Sequence, residues 1–306
     1  MTYVEKARHY AEGVVAGVIP ACLYVRQACQ RQLDDLAEPP TGYRFDAARA
    51  SEICRFTELC KHIKGPLASR GETLKLEGWQ VFILTTVFGW VDENGNRRFR
   101  HVYIEVPRGN GKSALSSTVG LFMLALDGEA GAEVYSAATT RDQARIVFRD
   151  AQAMARKMPL FLSRMGIEVT AQAIVQARSS SSFKALSADG HTLDGLNIHC
   201  AVVDELHAHK SRDVHDVLES GMGKRPQSLL WEITTAGFNK HGICYEVRDY
   251  AIKVLAGTVD DQAATATFAI VYTIDEGDDP YTEEALKKAN PNWGVSVDPA
   301  VVVQAA

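Results

Sequence analysis

The sequence has no run of about 20 apolar residues, the length a membrane-spanning helix needs. Its most apolar early stretch, Ala16 to Val25, is broken by Gly17 and Pro20 and preceded by Glu5, Lys6 and Arg8. Neither a spanning segment nor a secretory leader is expected there. Cysteine is sparse: Cys22, Cys29, Cys54, Cys60, Cys200 and Cys244 form no CxxC pair. That argues against a disulfide frame or a cysteine zinc site and predicts reduced thiols in a cytosolic protein. An excess of positive charge is also missing. The net charge is −5, so any surface for nucleic acid has to be local. What is present is ordinary for a globular chain: 46% hydrophobic and 23% charged over 306 residues. That length holds one large α/β domain or two small ones, with a full core.

The stretch that organises the rest is Val106-Pro107-Arg108-Gly109-Asn110-Gly111-Lys112-Ser113. A strand-like run, Phe99 to Val106, precedes it, and a helix-compatible run, Ala114 to Leu126, follows. Strand, glycine-bearing loop, Gly-Lys-Ser and helix make a phosphate-cradling P-loop. Backbone N–H groups and a helix N-terminus face phosphate, Lys112 reaches the β/γ oxygens, and the Ser113 hydroxyl binds Mg²⁺. Val106 stands where the usual pattern has glycine.

Two helices broken near Pro20 are expected over residues 3–36, then a loop at Pro39 to Gly42. A third helix places Ile53, Phe56, Cys60 and Ile63 on one face and closes at Gly65-Pro66. Leu76 to Leu84 reads as a helix that buries Trp79, Phe82 and Ile83. Gln80 on it is either an exposed amide or a reader of an adenine edge. Asn94-Gly95 marks a turn, and Arg97 to Arg100 reads as a solvated strand start, with a DNA contact as the alternative. Glu133 to Ala138 is a strand. Thr140 and Gln143 form a capping box for a helix with Ala144, Val147, Ala151, Met154 and Met158 inward, ended by Pro159. Gly166 to Ala177 and Ser182 to Ser187 read as a hairpin or added strand pair. This alternation predicts an α/β fold with a mostly parallel central sheet covered by helices on both faces.

Ile198 to Glu205 is an apolar strand ending in two carboxylates, a Walker B arrangement. Asp204 would hold Mg²⁺, and Glu205 would orient and polarise the attacking water. The plainer alternative, acids capping the next helix, loses weight in a chain that also carries Arg108 to Ser113. His207 and His209 lack a third ligand at useful spacing, so no zinc is expected there. Gly221 to Pro226 contains Gly-x-Gly-Lys but has no strand in front, and reads as a helix exit and turn. Asp275, Glu276, Asp278 and Asp279 read as solvated loop. Leu229 to Gly237 is a strand whose hydroxyl-bearing end could sense a γ-phosphate, or be an ordinary strand exit.

Trp79-Gln80, Val106 to Ser113, Val202 to His207, Gly223 to Pro226, Thr234 to Gly237 and Ala289 to Asn292 occur in that order across residues 76–293. Together they resemble the large terminase subunit of tailed bacteriophages, the ATPase motor that packages DNA into procapsids. That family's P-loop often lacks the glycine replaced by Val106 and carries arginine where Arg108 stands. The resemblance implies the P-loop NTPase branch (ASCE-type, a three-layer sandwich) with an extra strand between the Walker A and Walker B strands. The helices over 1–65 carry no chemistry and read as an N-terminal arm that packs on the core or on a neighbour, leaving an ATPase domain over 66–306. ATP would be bound by Trp79, Gln80, Pro107, Arg108, Gly109, Asn110, Gly111, Lys112 and Ser113, with Gln80 in the adenine motif. Glu205, Lys112 and Arg108 would be catalytic, Ser113 and Asp204 would hold Mg²⁺, and Thr234, Thr235 and Gly237 would couple hydrolysis to motion. Implied partners are double-stranded DNA, the portal protein, the small terminase subunit and further copies in a ring, expected to be a pentamer. The implied location is the host cytoplasm, transiently at the portal vertex, with no membrane. Family members continue into an RNase H-like nuclease domain. This chain stops at Ala306, where that linker should begin, so no nuclease metal site is expected. Members also commonly use an arginine from the adjacent subunit shortly before Walker B. Here Asp189 to Gly195 has none, which leaves Arg145, Arg212 and Arg225 as candidates. Two other readings stand: another P-loop DNA translocase or helicase, marked by DNA-stimulated strand separation, and a nucleotide-gated assembly protein, marked by lack of hydrolysis.

Overall fold

A computed structural model of the chain describes residues 1–138, 141–187, 195–209, 211–237, 242–259 and 261–305, without the side chains of 141–143, 187 and 305. The N-terminal helices are α1 (Tyr3–Val15) and α2 (Leu23–Ala37). Thr2 and Glu5 form a reciprocal capping box on α1. Ala7, Tyr10, Ala11 and Val14 recur at helical spacing and make its buried face. Strand β1 (Tyr43–Phe45) and helix α3 (Ala47–Leu59) follow. Helix α3 ends before the expected Gly65-Pro66, because Cys60 already has extended backbone. Gly65 and Pro66 instead open the short helix α4 (Gly65–Ser69), where proline lacks only an N–H the first turn does not use. Helix α5 (Gly78–Gly89) is apolar on every side and buried throughout most of its length. It packs against α1 and α3, and Tyr10 meets Phe82 with ring centroids 5.7 Å apart. The helices before residue 65 thus share one apolar cluster with the remainder of the chain.

Strand β2 (Trp90–Asp92) pairs with β1 in a small antiparallel ribbon. The main sheet begins with β3 (His101–Glu105) and continues, past α6 (Lys112–Ala125), with β4 (Glu133–Ala138). Helices α7 (Arg141–Arg156) and α8 (Pro159–Met165) lead to β5 (Ile167–Val169), β6 (Ala173–Gln176) and β7 (Ser181–Ser187). Then come β8 (Ile198–Asp204), α9 (Asp213–Gly221), β9 (Leu229–Thr234), α10 (Ile243–Leu255), α11 (Gln262–Thr265) and β10 (Thr267–Val271). Helices α12 (Glu283–Ala289) and α13 (Pro299–Ala305) follow. The sheet order is β10-β3-β9-β8-β4-β7-β6-β5, parallel from β10 to β7 and antiparallel at β6 and β5. The expected extra strand is therefore β9, between β3 and β8. Helices α6 and α7 cover one face, where Trp231 Nε1 donates to Ser116 Oγ at 3.2 Å. Helices α9 and α10 cover the other, where Tyr103 meets Cys244. The inward side chains foreseen on α7, from Ala144 to Met158, are buried; Thr140 and the side chain of Gln143 lie outside the described residues.

The basic run at Arg97 to Arg100 is a correction. Arg97 and Arg98 are each 4% exposed. Arg97 makes a two-pronged pair with Asp127 (2.8 and 3.1 Å), and His199 Nε2 reaches the same carboxylate at 2.8 Å. Burial pushes the Asp127 carboxyl up, but Arg97 and His199 outweigh it and hold it well below the usual range. Arg98 lies over the Phe99 ring and reaches Asp35 Oδ2 at 2.7 Å, tying α2 to the sheet. Charge alone reads as solvent-facing; only the distant acids Asp35 and Asp127 make burial affordable.

Candidate nucleotide site

Parallel register brings three strand ends to one edge of the sheet. Glu105 of β3 faces Thr234 of β9, and Asp204 of β8 faces Ile233. Val106 continues this ladder, its N–H donating to Thr234 O at 3.0 Å, with its side chain fully buried. The glycine of the usual pattern is dispensable here because this position still belongs to the strand. The loop turns at Gly109 (φ 86°) and Gly111 (φ 80°), a left-handed region that suits glycine. Lys112 then opens α6 with its side chain 94% buried, since 6% is exposed. Its ammonium donates to Val106 O (3.3 Å) and Pro107 O (3.5 Å) and stands 3.7 Å from Glu205 Oε1. Burial lowers the Lys112 pKa, with Glu205 and Asp204 opposing.

Ser113 Oγ donates to Asp204 Oδ2 at 2.8 Å, while Asp204 Oδ1 is buried with no hydrogen-bond partner among the described residues. Burial pushes the Asp204 carboxyl up to about 6, with Glu205 adding to the rise and the Ser113 and Lys112 contacts opposing it. A hydroxyl beside an orphaned buried carboxylate oxygen is a hard, all-oxygen donor set. It fits Mg²⁺ held through few protein ligands. Glu205 adopts φ 59°, rare outside glycine, and this twist points its carboxylate back over the loop. Thr235 donates to Glu205 Oε2 through its N–H (3.4 Å) and its hydroxyl (3.3 Å). His207 Nδ1 lies 3.0 Å from the same oxygen and also within 3.1 Å of Thr234 Oγ1 and 3.2 Å of Thr235 Oγ1. A Cβ on Gly237 would approach His207 Cβ to 3.0 Å, so the chain passes close there. Thr234 and Thr235 meet the His207 imidazole, Thr235 also bonds Glu205 directly, and Gly237 passes close to His207 Cβ.

The loop opens on a cleft of about 370 Å³ lined by Arg108, Gly109, Gly111, Lys112, Ser113 and Glu205. Its far wall is His62, Lys64, Leu74, Asp150 and Met154, with Lys64 Nζ 2.8 Å from Asp150 Oδ2. Two of the residues expected at the nucleotide have side chains that do not line this cleft. Trp79 is 1% exposed and donates its indole N–H to Asn292 Oδ1 at 2.6 Å. Asn110 is fully buried; its Nδ2 donates to Pro107 O (3.1 Å) and Asn290 Oδ1 (3.1 Å), and its Oδ1 accepts from Asn292 N (3.0 Å). Both side chains brace the loop from behind instead of facing the cleft. Ser296 Oγ adds a bond to Gly109 O at 2.7 Å. Gln80 accepts from Glu77 N at 2.9 Å to cap its own helix, which uses one half of its amide; its Nε2 lies 3.8 Å from where a Cβ on Gly111 would sit. His207, Asn290, Asn292, Ser296 and the far wall were not assigned from sequence. A histidine two residues past the acid pair was visible there, but only the fold gives it a partner. Among the arginine candidates, Arg225 is 8% exposed and locked onto Glu129, Gly131 O and Asn197, which makes it structural. Arg212 is exposed on α9, and Arg145 is half-buried on α7. Residues 189–194 lie outside the described residues.

The family "Terminase large subunit, ATPase domain" matches residues 78–253. The terminase large subunit of Lactococcus phage SK1 is 24% identical over 229 residues, 72% of this chain and 41% of that protein. Protein YmfN of Escherichia coli K12 is 49% identical over 104 residues, 34% of this chain and 22% of that protein. The crystal structure of the HK97 bacteriophage large terminase superposes with a TM-score of 0.70 at 22% identity, covering 84% of this chain and 50% of that one. The chain thus spans less than half the length of these curated relatives. The family match takes in the phosphate loop, the paired carboxylates and the threonine-bearing end of β9: this chain belongs to the terminase large subunit ATPase-domain family.

Proposed function

We propose that the chain hydrolyses Mg²⁺–ATP and that this drives double-stranded DNA into a viral procapsid. The observation that carries the reading is the convergence at one sheet edge of Lys112, the Ser113–Asp204 pair and Glu205, the last held by Thr235 and His207. Lys112 supplies positive charge to the β/γ phosphates, and loop N–H groups at the start of α6 cradle them. Ser113 and Asp204 would hold Mg²⁺, which neutralises charge developing on the phosphates. Glu205 takes the water side: its Oε1 faces Lys112 and the cleft, while Oε2 is fixed by Thr235 and His207. Arg108 lines the cleft mouth, where its guanidinium can follow the phosphates. The SK1 and HK97 relatives are terminases by name, and that supports DNA, portal protein and small terminase subunit as partners. Self-association in a ring, a pentamer on the portal vertex in the host cytoplasm, completes the reading. No DNA cleavage is assigned to this stretch.

The test is nucleotide binding and turnover with and without Mg²⁺, for wild type and Lys112→Ala. Loss of both binding and hydrolysis in a folded variant is expected, because the variant loses the charge that offsets the triphosphate. Unchanged ATP binding by calorimetry would overturn the assignment. Turnover should also rise with protein concentration or on procapsids, since an arginine from a neighbour contributes roughly 10³–10⁵ in rate. High activity from a monomeric sample would remove the trans residue.

A further inference from the structure

Charge is unevenly spread along the chain. Residues 141–187, which form α7, α8 and β5 to β7, hold eight Lys or Arg against three Asp or Glu, a net charge of +5. The whole chain carries −5, so the remaining residues carry −10. A local basic module in an otherwise acidic protein is the footprint of a polyanionic partner. On α7 the cations are ordered. Arg145, Arg149 and Arg156 are spaced by four and seven residues, which at about 100° per residue keeps them within roughly 40° of arc. The opposite side of the helix is the buried one, with Val147, Ala151 and Met154 in the core. Arg149 and Arg156 are exposed, Arg145 is half-buried, and the row spans about 16 Å. Arg164 on α8 and Arg178 between β6 and β7 are exposed as well, and Arg178 Nη1 donates to Arg164 O at 3.1 Å. Arginines elsewhere are neutralised: Arg97, Arg98, Arg225 and Arg248 each pair with an acid. Among the described residues, none of the five on this module forms an ion pair. Its own acids do not supply one: Asp150 is taken by Lys64 at 2.8 Å, Glu168 pairs with none of them, and the side chain of Asp142 lies outside the described residues.

Resting on the DNA-packaging reading, we propose that the outer face of α7, through Arg145, Arg149 and Arg156 and extended by Arg164 and Arg178, holds the phosphate backbone of duplex DNA. Six of the eight cations in the module are arginine, whose forked guanidinium matches a phosphate in geometry. Each strand of a duplex presents a phosphate every ~3.4 Å of axis, so a straight row about 16 Å long meets a continuous line of charge. Contacts of this kind position the duplex and carry no sequence information, which suits a protein that moves DNA of any sequence. Helix α7 also lends Asp150 and Met154 to the wall of the nucleotide cleft. One helix therefore bears the polymer on its outer face and borders the nucleotide on its flank, so a shift of α7 on ATP binding would carry the arginine row with it.

The experiment titrates the chain into a fluorescein-labelled duplex of mixed sequence, reading anisotropy across a series of salt concentrations. The double variant Arg149→Ala/Arg156→Ala is compared with wild type and with Arg8→Ala/Lys253→Ala, which removes the same charge from exposed positions on α1 and α10. Arg149 and Arg156 are themselves exposed, so the variant keeps its fold, and its thermal midpoint checks this. Loss of two phosphate contacts should lower the slope of log affinity against log salt by about 1.8, and affinity at 0.1 M salt on the order of 10- to 100-fold. The α1/α10 variant should keep the wild-type slope. Equal affinity and slope in wild type and Arg149→Ala/Arg156→Ala, or an equal loss in the α1/α10 variant, would overturn the proposal. A variant that keeps its DNA affinity but loses self-association in sedimentation would make this face an interface between copies, and overturn it too. ATP turnover by wild type without DNA tests the motor reading separately. Turnover with no duplex binding would overturn this surface and leave the ATPase standing, whereas duplex binding lost in the variant, with no turnover in wild type, would support this surface and overturn the motor.

Discussion

At the scale of the residue, the Glu205 carboxylate is held on two sides: Lys112 approaches Oε1, and Thr235 with His207 fixes Oε2. Glu205→Gln keeps shape and hydrogen bonds but loses the anion. Near-normal ATP affinity with turnover lowered on the order of 10²-fold or more is expected. Asp204→Asn should instead weaken the Mg²⁺ site and recover in part at high Mg²⁺. Paired binding and turnover assays separate the two, and normal hydrolysis by Glu205→Gln would move the base elsewhere. His207→Ala removes one of the two links between Glu205 and the end of β9, leaving the bonds from Thr235. Its turnover should fall on the order of 10- to 100-fold with nucleotide affinity kept, as for a misplaced but intact reacting group. Equal loss of affinity would make His207 a binding residue. His209 is different: it is 3% exposed, both ring nitrogens lack partners among the described residues, and burial lowers its pKa to about 4, with His215 and His207 adding to the fall. Its folded value lies below its unfolded one, so stability is full above about pH 6.5 and is lost as pH falls through 4. The loss over that range is on the order of 3 kcal/mol. Unfolding of His209→Leu followed from pH 7 to pH 4 should show a shallower decline than wild type; parallel curves would mean the ring charges at no cost.

At the scale of the element, the phosphate loop is as much propped as folded. Its glycines and Lys112 were legible from sequence because spacing within eight residues carries them. The prop was not: Asn110 meets Asn290 and Asn292 from about 180 residues away, and an asparagine in a loop carries no signal of its distant partner. The same limit applies to Trp79: its burial is legible in the sequence, but its partner Asn292 is not. Asn292→Ala would orphan the Trp79 N–H and take the Nδ2 donor from the Asn110 carbonyl, while the bond from the Asn292 N–H to Asn110 Oδ1 survives. The expected penalty is about 1–3 kcal/mol in stability, the range for a buried polar group left unpaired. ATP binding should weaken while turnover at saturation changes less. Denaturant melts and titrations of nucleotide read both quantities, and an unaltered ATP affinity would mean that the loop keeps its shape unaided.

At the scale of the whole molecule, alternation of strand and helix made the parallel sheet and its two helical layers legible, because each buried strand is short, apolar and bounded by turns. Strand order was not readable from that pattern; the position of β9 came with the family resemblance. Nor was the seating of the basic run legible. Arg97, Asp127 and His199 come from three separate segments and meet at the sheet end away from the nucleotide cleft. Arg97→Ala would leave Asp127 buried with a weaker partner, at a cost of about 3–5 kcal/mol. Chemical denaturation checks this, and a loss below 1 kcal/mol would mean water reaches the carboxylate.

The prop behind the phosphate loop has a mechanical side. Asn290, Asn292 and Ser296 follow the last strand of the sheet, and they grip Asn110 and the Gly109 carbonyl directly. A load applied to the chain beyond Ser296 therefore reaches the nucleotide cradle through these side chains without first deforming the sheet. Whatever moves that segment would bear on the shape of the cradle itself, so its position and the loop's are mechanically one.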